Sequence, residues 1–161
     1  MATTEQARSL SVPVPAEIAR VSRGILQLAD LITARATAVL GPAGLTLSRW
    51  FVLRELVERP GCTAAELAGI LSLSKARLSA VVEELVEAGL VRRERRPDDR
   101  RRLHLSLTEE GRRLTVELVP RLGEAVGRAY SALSAEEFAG LRAGVTALAE
   151  ELATPPARVE E

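Results

Sequence analysis

Along most of this chain apolar residues recur every three or four positions, but Leu103-His104-Leu105-Ser106-Leu107 alternates strictly, and this change of period constrains the fold more than any other feature. It requires a half-buried strand, with Leu103, Leu105 and Leu107 on one face and Arg102, His104 and Ser106 on the other. The strand follows Arg92-Arg93-Glu94-Arg95-Arg96 and a Pro97-Asp98-Asp99 turn, so the sequence predicts a short hairpin attached to a helical body. From Arg92 to Arg102 seven arginines stand against Glu94, Asp98 and Asp99, a local excess of four positive charges. The whole chain of 161 residues is balanced, Lys+Arg 22 against Asp+Glu 22, so its positive charge is concentrated at this hairpin. A solvated charged turn would have the same composition. A hairpin suited to lie on a phosphate backbone and reach a minor groove is the second reading, and it points to duplex DNA.

The elements before the hairpin favour that second reading. From Ala16 to Leu40, Ile18, Val21, Ile25, Leu28, Leu31 and Ile32 share one helix face, and Gly41-Pro42 ends the helix. A second helix is expected from Ser48 to just before Pro60-Gly61, burying Trp50, Phe51, Leu53, Leu56 and Val57. Thr63 and Glu66 form a capping box for a short third helix carrying Leu67, Ile70 and Leu71. Ser74 caps a fourth with Leu78, Val81, Val82 and Leu85 inward, and Gly89 is its left-handed C-terminal residue. After the hairpin, Thr108 opens a helical stretch with Leu114, Leu118, Leu122 and Val126, which Pro120 should kink or break. Ser134 and Glu137 cap a last amphipathic helix with Phe138, Leu141, Val145, Leu148 and Leu152.

Helix, turn and helix followed by a basic hairpin is the winged helix-turn-helix plan. The expected fold class is therefore mainly α with a small β-hairpin wing, flanked by N- and C-terminal dimerisation helices. A flexible segment is expected at 1–15, a single domain at 16–153 and a tail at 154–161. Within the domain, 46–108 would be the DNA-binding lobe, with 16–45 and 109–153 the dimerisation helices, whose apolar stripes find cover on a second copy. At the start of the fourth helix Ser74, Lys75, Arg77, Ser79 and Ala80 lie near or on the exposed side. Arg77 is the candidate base reader, because its planar fork can donate to guanine O6 and N7 together. Thr63 could offer its hydroxyl and free N–H groups to a phosphate, and Arg100 and Arg102 belong to the wing.

The run Thr63-Ala64-Ala65-Glu66-Leu67-Ala68, then Leu73-Ser74, Glu87-Ala88-Gly89-Leu90-Val91-Arg92-Arg93, and Asp99-Arg100-Arg101 with Leu103, Leu105, Leu107-Thr108 and Gly111 resembles the multiple-antibiotic-resistance regulator (MarR) family. The resemblance implies a homodimeric transcriptional regulator, usually a repressor released by a small phenolic or lipophilic ligand or by oxidation. It also implies that Arg101 enters the minor groove while Asp99 orients the wing. Two positions depart from the family pattern. Ala80 stands where relatives often carry a polar or basic residue, and Cys62 lies outside the first helix, where the peroxide-sensing branch carries its reactive thiol.

An effector would sit where the dimer helices meet the DNA-binding lobe, because only there can one molecule change the spacing of two recognition helices. Leu28, Leu31, Arg35, Trp50 and Phe51 are candidate linings for a small aromatic or lipophilic ligand; each could equally be a core residue. A single cysteine and a single histidine leave no cage for a metal, no cofactor motif is present, and no nucleophile and base have a recognisable spacing, so an enzyme is not expected. Neither a spanning apolar run nor a signal-peptide pattern is expected, which points to the cytoplasm and no membrane. Three other readings remain at this stage: a ligand-independent activator, an architectural DNA binder, and a winged-helix protein-interaction module.

Overall fold

Short polar side chains start five of the described helices. Thr46 accepts the Arg49 N–H, Ser74 that of Arg77, and Thr108 that of Gly111, while Thr63 and Glu66 close a complete capping box. The computed structural model describes residues 15–95 and 102–153. In it α1 (Pro15–Leu40) runs into a 3-10 turn at Gly41–Ala43, followed by α2 (Leu47–Glu58), β1 (Cys62–Thr63), α3 (Ala64–Ile70) and α4 (Lys75–Glu87). Strands β2 (Val91–Arg95) and β3 (Leu103–Leu107) follow, then α5 (Glu109–Leu122), a π-helical segment at Gly123–Gly127, α6 (Arg128–Tyr130) and α7 (Ala135–Ala153). Ser134 and Glu137 exchange hydrogen bonds at the start of α7, as the capping box requires.

The core lies in the middle of the chain. Leu40, Leu53, Leu56, Leu67, Leu78, Leu85, Leu105 and Leu118 are fully buried, each contributing roughly 1.5–3 kcal/mol through removal from water. They draw α2, α3, α4 and the sheet around the end of α1 and the middle of α5. In contrast, α7 has no buried residue, and α1 buries only Ala36 and Leu40 near its C-terminal end.

The hairpin is part of a three-stranded antiparallel sheet of order β1-β3-β2, with Cys62 opposite Leu105 and Thr63 opposite His104. On the other side of β3, Glu94 faces His104 and Arg95 faces Leu103. The sheet corrects two expectations. His104 does not point freely outward: it is half-buried, and its Nδ1–H donates to the Gly61 carbonyl at 2.7 Å, the arrangement a carbonyl partner dictates. Leu103 is 48% exposed, because it begins β3 at the outer end of the wing, beyond the core that covers Leu105 and Leu107.

Helix α4 leaves the lobe through Gly89, whose φ of 70° is the left-handed value expected there. The wing returns to the same place. Thr108 donates its N–H to the Leu90 carbonyl at 3.0 Å and its hydroxyl to the Gly89 carbonyl at 2.7 Å, while that hydroxyl accepts the Gly111 N–H at 3.0 Å.

Other expectations need local correction. Phe51 is exposed and Val52 buried, because Phe51 falls on the α2 face that carries the Arg54–Glu58 ion pair. Ile70 is exposed at the last position of a seven-residue helix, and Ala68 is buried in its place. Pro120 does not break α5, which continues to Leu122 before widening to π geometry. The proline withholds one N–H on a face where Val116 and Val119 are open to solvent. Finally, Pro15–Ala43 is long and apolar enough to cross a bilayer by length and composition, contrary to expectation. Ile18, Val21, Ile25, Leu28 and Ile32 nevertheless line apolar grooves that the helix shares with α7, while Leu26 and Leu31 are exposed outside them.

Candidate nucleic-acid interface

Packing fixes which side of α4 is free. With Leu78, Val81, Val82 and Leu85 turned into the core, Lys75, Arg77, Ser79 and Ala80 are exposed at its N-terminal end. Cationic and hydroxyl side chains thus surround the end of the helix where the peptide dipoles already favour an anion. The later turns carry acid, and two of these acids are held sideways: Glu83 lies 3.9 Å from Arg93 on β2, and Glu84 lies 2.9 Å from Arg49 on α2. The exposed cationic and hydroxyl side chains of α4 are therefore confined to its first two turns.

Beside it, β1, α3 and β3 form a polar corner. The Thr63 N–H donates to Glu66 at 2.7 Å, and the Thr63 hydroxyl both donates to that carboxylate and accepts the Glu66 N–H. These hydrogen bonds hold the Glu66 carboxyl below its ordinary range, with Arg102 and His104 adding smaller effects of the same sign. Thr63 is buried, and its hydroxyl and N–H are engaged in the cap rather than offered to a phosphate. Ser74 likewise uses its hydroxyl as an N-cap. Arg102 is exposed at the foot of β3. Arg95, exposed opposite Leu103 at the outer end of the wing, joins the candidate set; nothing in the sequence distinguishes it from its neighbouring arginines. Asp99, Arg100 and Arg101 lie outside the described residues.

The candidate ligand-lining residues do not converge on one cavity. Leu28 lines an apolar groove of about 540 Å³ between α1 and α7, together with Ile25, Ile32, Phe138, Leu141 and Val145. Leu31 is exposed outside that lining, and Arg35 donates to the Ala125 carbonyl at 3.4 Å in the π segment. Trp50 is buried in the core of the lobe, and Phe51 lies on its surface. Sequence reasoning missed Tyr130 as part of the groove wall, where it meets Phe138 edge-on with ring centroids 5.8 Å apart. Its position at the end of a three-residue helix gives no periodic signal.

Cys62 is half-buried on β1. Burial pushes its thiol pKa up, and the nearby Glu66 carboxylate adds to the shift.

This geometry matches known proteins. The profile of the MarR family covers residues 43–102, the lobe that holds the helix-turn-helix and the first wing strand. The HTH-type transcriptional regulator FarR of Neisseria gonorrhoeae is 30% identical over 129 residues, which span 80% of this chain and 84% of FarR. Among solved structures, the MarR family regulator AbsC from Streptomyces coelicolor superposes with a TM-score of 0.75 at 31% identity, covering 87% of this chain and 96% of AbsC. CouR from Rhodococcus jostii RHA1, solved bound to p-coumaroyl-CoA, gives 0.74 at 27% identity, covering 87% of this chain and 95% of CouR. The likeness runs through the helix-turn-helix, the wing and both flanking helical segments: the chain belongs to the MarR family of transcriptional regulators.

Proposed function

We propose that this protein is a homodimeric repressor that binds an inverted-repeat operator in the cytoplasm and is released from it by a small aromatic or lipophilic ligand. The observation that carries the reading is the exposed N-terminal end of α4, with Lys75, Arg77 and Ser79 free of the core beside an arginine-bearing wing. In this reading residues 46–108 are the DNA-binding lobe, Arg77 reads base edges, and Lys75, Arg102, Arg100 and Arg101 meet backbone or minor groove with Asp99 orienting the wing. Its work is binding rather than catalysis.

The dimer is supported by two long apolar stripes left open on segments 16–45 and 109–153. Ile18, Val21, Ile25 and Leu28 on α1, and Phe138, Leu141, Val145 and Leu148 on α7, are each more than a third exposed, a continuous surface that a second copy would cover. The ligand reading is supported by the aromatic corner of Tyr130 and Phe138 in the same groove, and the aromatic acyl group of the CouR ligand is a model for its chemistry. A ligand here must prefer the dimer whose lobes are wrongly spaced for DNA, so operator DNA must weaken the ligand by the same factor.

Selection from a random duplex pool tests the reading. Recovered sites should show a dyad, with half-sites about one helical turn or roughly 34 Å apart, and aromatic acids should displace the protein from them. A selected site without a dyad, or a stable monomer at micromolar concentration in sedimentation, would overturn the repressor dimer.

A further inference from the structure

The guanidinium of Arg49 joins three elements that operator binding must hold in register. Its Nε donates to Glu84 Oε2 on α4 at 2.9 Å, and its Nη1 donates to the Gly44 carbonyl at 2.8 Å. Gly44 has a φ of 67° and closes the 3-10 turn at the end of α1, with its own N–H bonded to Gly41 O at 2.9 Å. Arg49 itself sits in the first turn of α2, its N–H held by the Thr46 cap. Arg49 therefore links the turn that follows α1, the start of α2 and the last turn of α4.

We infer that Arg49 is a positioning residue for sequence recognition, setting the tilt of α4 relative to the α1–α2 turn through Glu84 and Gly44. The inference rests on the DNA-binding reading above. Nε and the Nη donors are fixed in one plane, so α4 cannot rotate against the turn and keep both bonds. Glu84 lies seven residues from Arg77, about 10 Å along the axis at 1.5 Å per residue, so a tilt of about 10° there moves the Arg77 end by about 2 Å. That displacement exceeds the tolerance of a hydrogen bond to a base edge. A purely stabilising ion pair would act differently. Arg49 and Glu84 side chains are 27% and 49% exposed, and such pairs contribute little to folding. Core packing of Leu78, Val81, Val82 and Leu85 seats α4, and on its other flank Glu83 and Arg93 at 3.9 Å make a looser contact than Arg49 and Glu84.

The test compares affinity for the duplex recovered by selection with affinity for a random duplex of equal length, because the ratio cancels the change in net charge. Arg49→Met, which keeps length and removes the donors, should lower that ratio about three- to tenfold, with the thermal midpoint within about 3 °C of the parent. Glu84→Ala should lower it similarly, the double variant should be no worse than either single one, and Arg49→Lys should recover less than half the loss. An unchanged ratio, additive losses, or full recovery by lysine would overturn the positioning role while leaving DNA binding intact. A parent protein that prefers no duplex would overturn both readings. If Arg49→Met fails to fold, the ratio for Glu84→Ala, a surface change, decides the question.

Discussion

The carbonyl oxygen of Leu90 occupies the space where residue 111 would carry a Cβ, and Gly111 alone lets the first turn of α5 close onto the exit from α4. That carbonyl cannot easily withdraw, because it accepts the Thr108 N–H at 3.0 Å. Gly111→Ala should therefore destabilise the protein by about 1–3 kcal/mol through overpacking. Denaturant unfolding measures it, and an unchanged midpoint would mean that the junction relaxes freely.

Arg77→Ala should relax the preferred base at one operator position, a loss of about 1–3 kcal/mol of discrimination. Lys75→Ala should instead weaken selected and random duplexes alike and lower the salt slope by about one. Indistinguishable profiles for the two variants would remove the distinction between base reader and backbone contact.

Ser72, in the turn between α3 and α4, has a φ of 51°, a left-handed conformation that L residues adopt at a cost. Ser72→Gly should stabilise the fold by about 0.5–1 kcal/mol, since the relief of strain exceeds the added chain entropy. Ser72→Val should destabilise it. Thermal unfolding of the pair decides, and a glycine variant less stable than the parent would argue against strain at this turn.

Glu66 and Glu137 both have carboxyls held below the ordinary value of 4.5, each by the backbone N–H of its capping partner. A depressed folded pKa contributes stability that is complete above the unfolded value and is lost as pH falls through the folded one. The protein should therefore weaken as pH drops below 4.5, and Glu66→Gln, which keeps an acceptor but cannot titrate there, should flatten that decline. Equal acid slopes for parent and variant would show that the cap is already open in acid.

Cys62 should be dispensable for control. With its thiol pushed up by burial and by Glu66, little thiolate forms at neutral pH, and thiolate is the species that peroxide attacks. Cys62→Ser should bind the selected duplex as the parent does and leave any peroxide response unchanged; a response abolished by this substitution would make Cys62 a sensor.

The caps at Thr63 and Ser134 were legible in the sequence because each follows from one hydroxyl and the glutamate three places on, and that at Ser74 from a hydroxyl placed just before an apolar helical period. The buried face of α4 was legible for a similar reason, since Leu78, Val81, Val82 and Leu85 repeat at helical spacing. Strand β1 was not, because two residues carry no period and Cys62-Thr63 becomes a strand only by pairing with β3. His104 was misplaced for the same cause: alternation assigns a face but cannot show that a third strand covers it. Phe51 was misplaced in the core because neighbours on a helix differ by about 100°, and side-chain size does not decide which turns inward. At the interface, the exposed start of α4 was readable from its buried complement. The Arg49–Glu84 contact was not, as it joins residues 35 apart in the chain.

The bonds from Thr108 to Gly89 and Leu90 make the wing a closed loop whose two ends meet at one point. Whatever happens between those ends, in length or in sequence, need not be transmitted to the angle between α4 and α5. Mutation can therefore explore new arginine arrangements in the loop while the frame formed by α4 and α5 stays as it is. Affinity for DNA and the architecture of the protein can evolve at different rates because the N–H and hydroxyl of one threonine keep them mechanically separate.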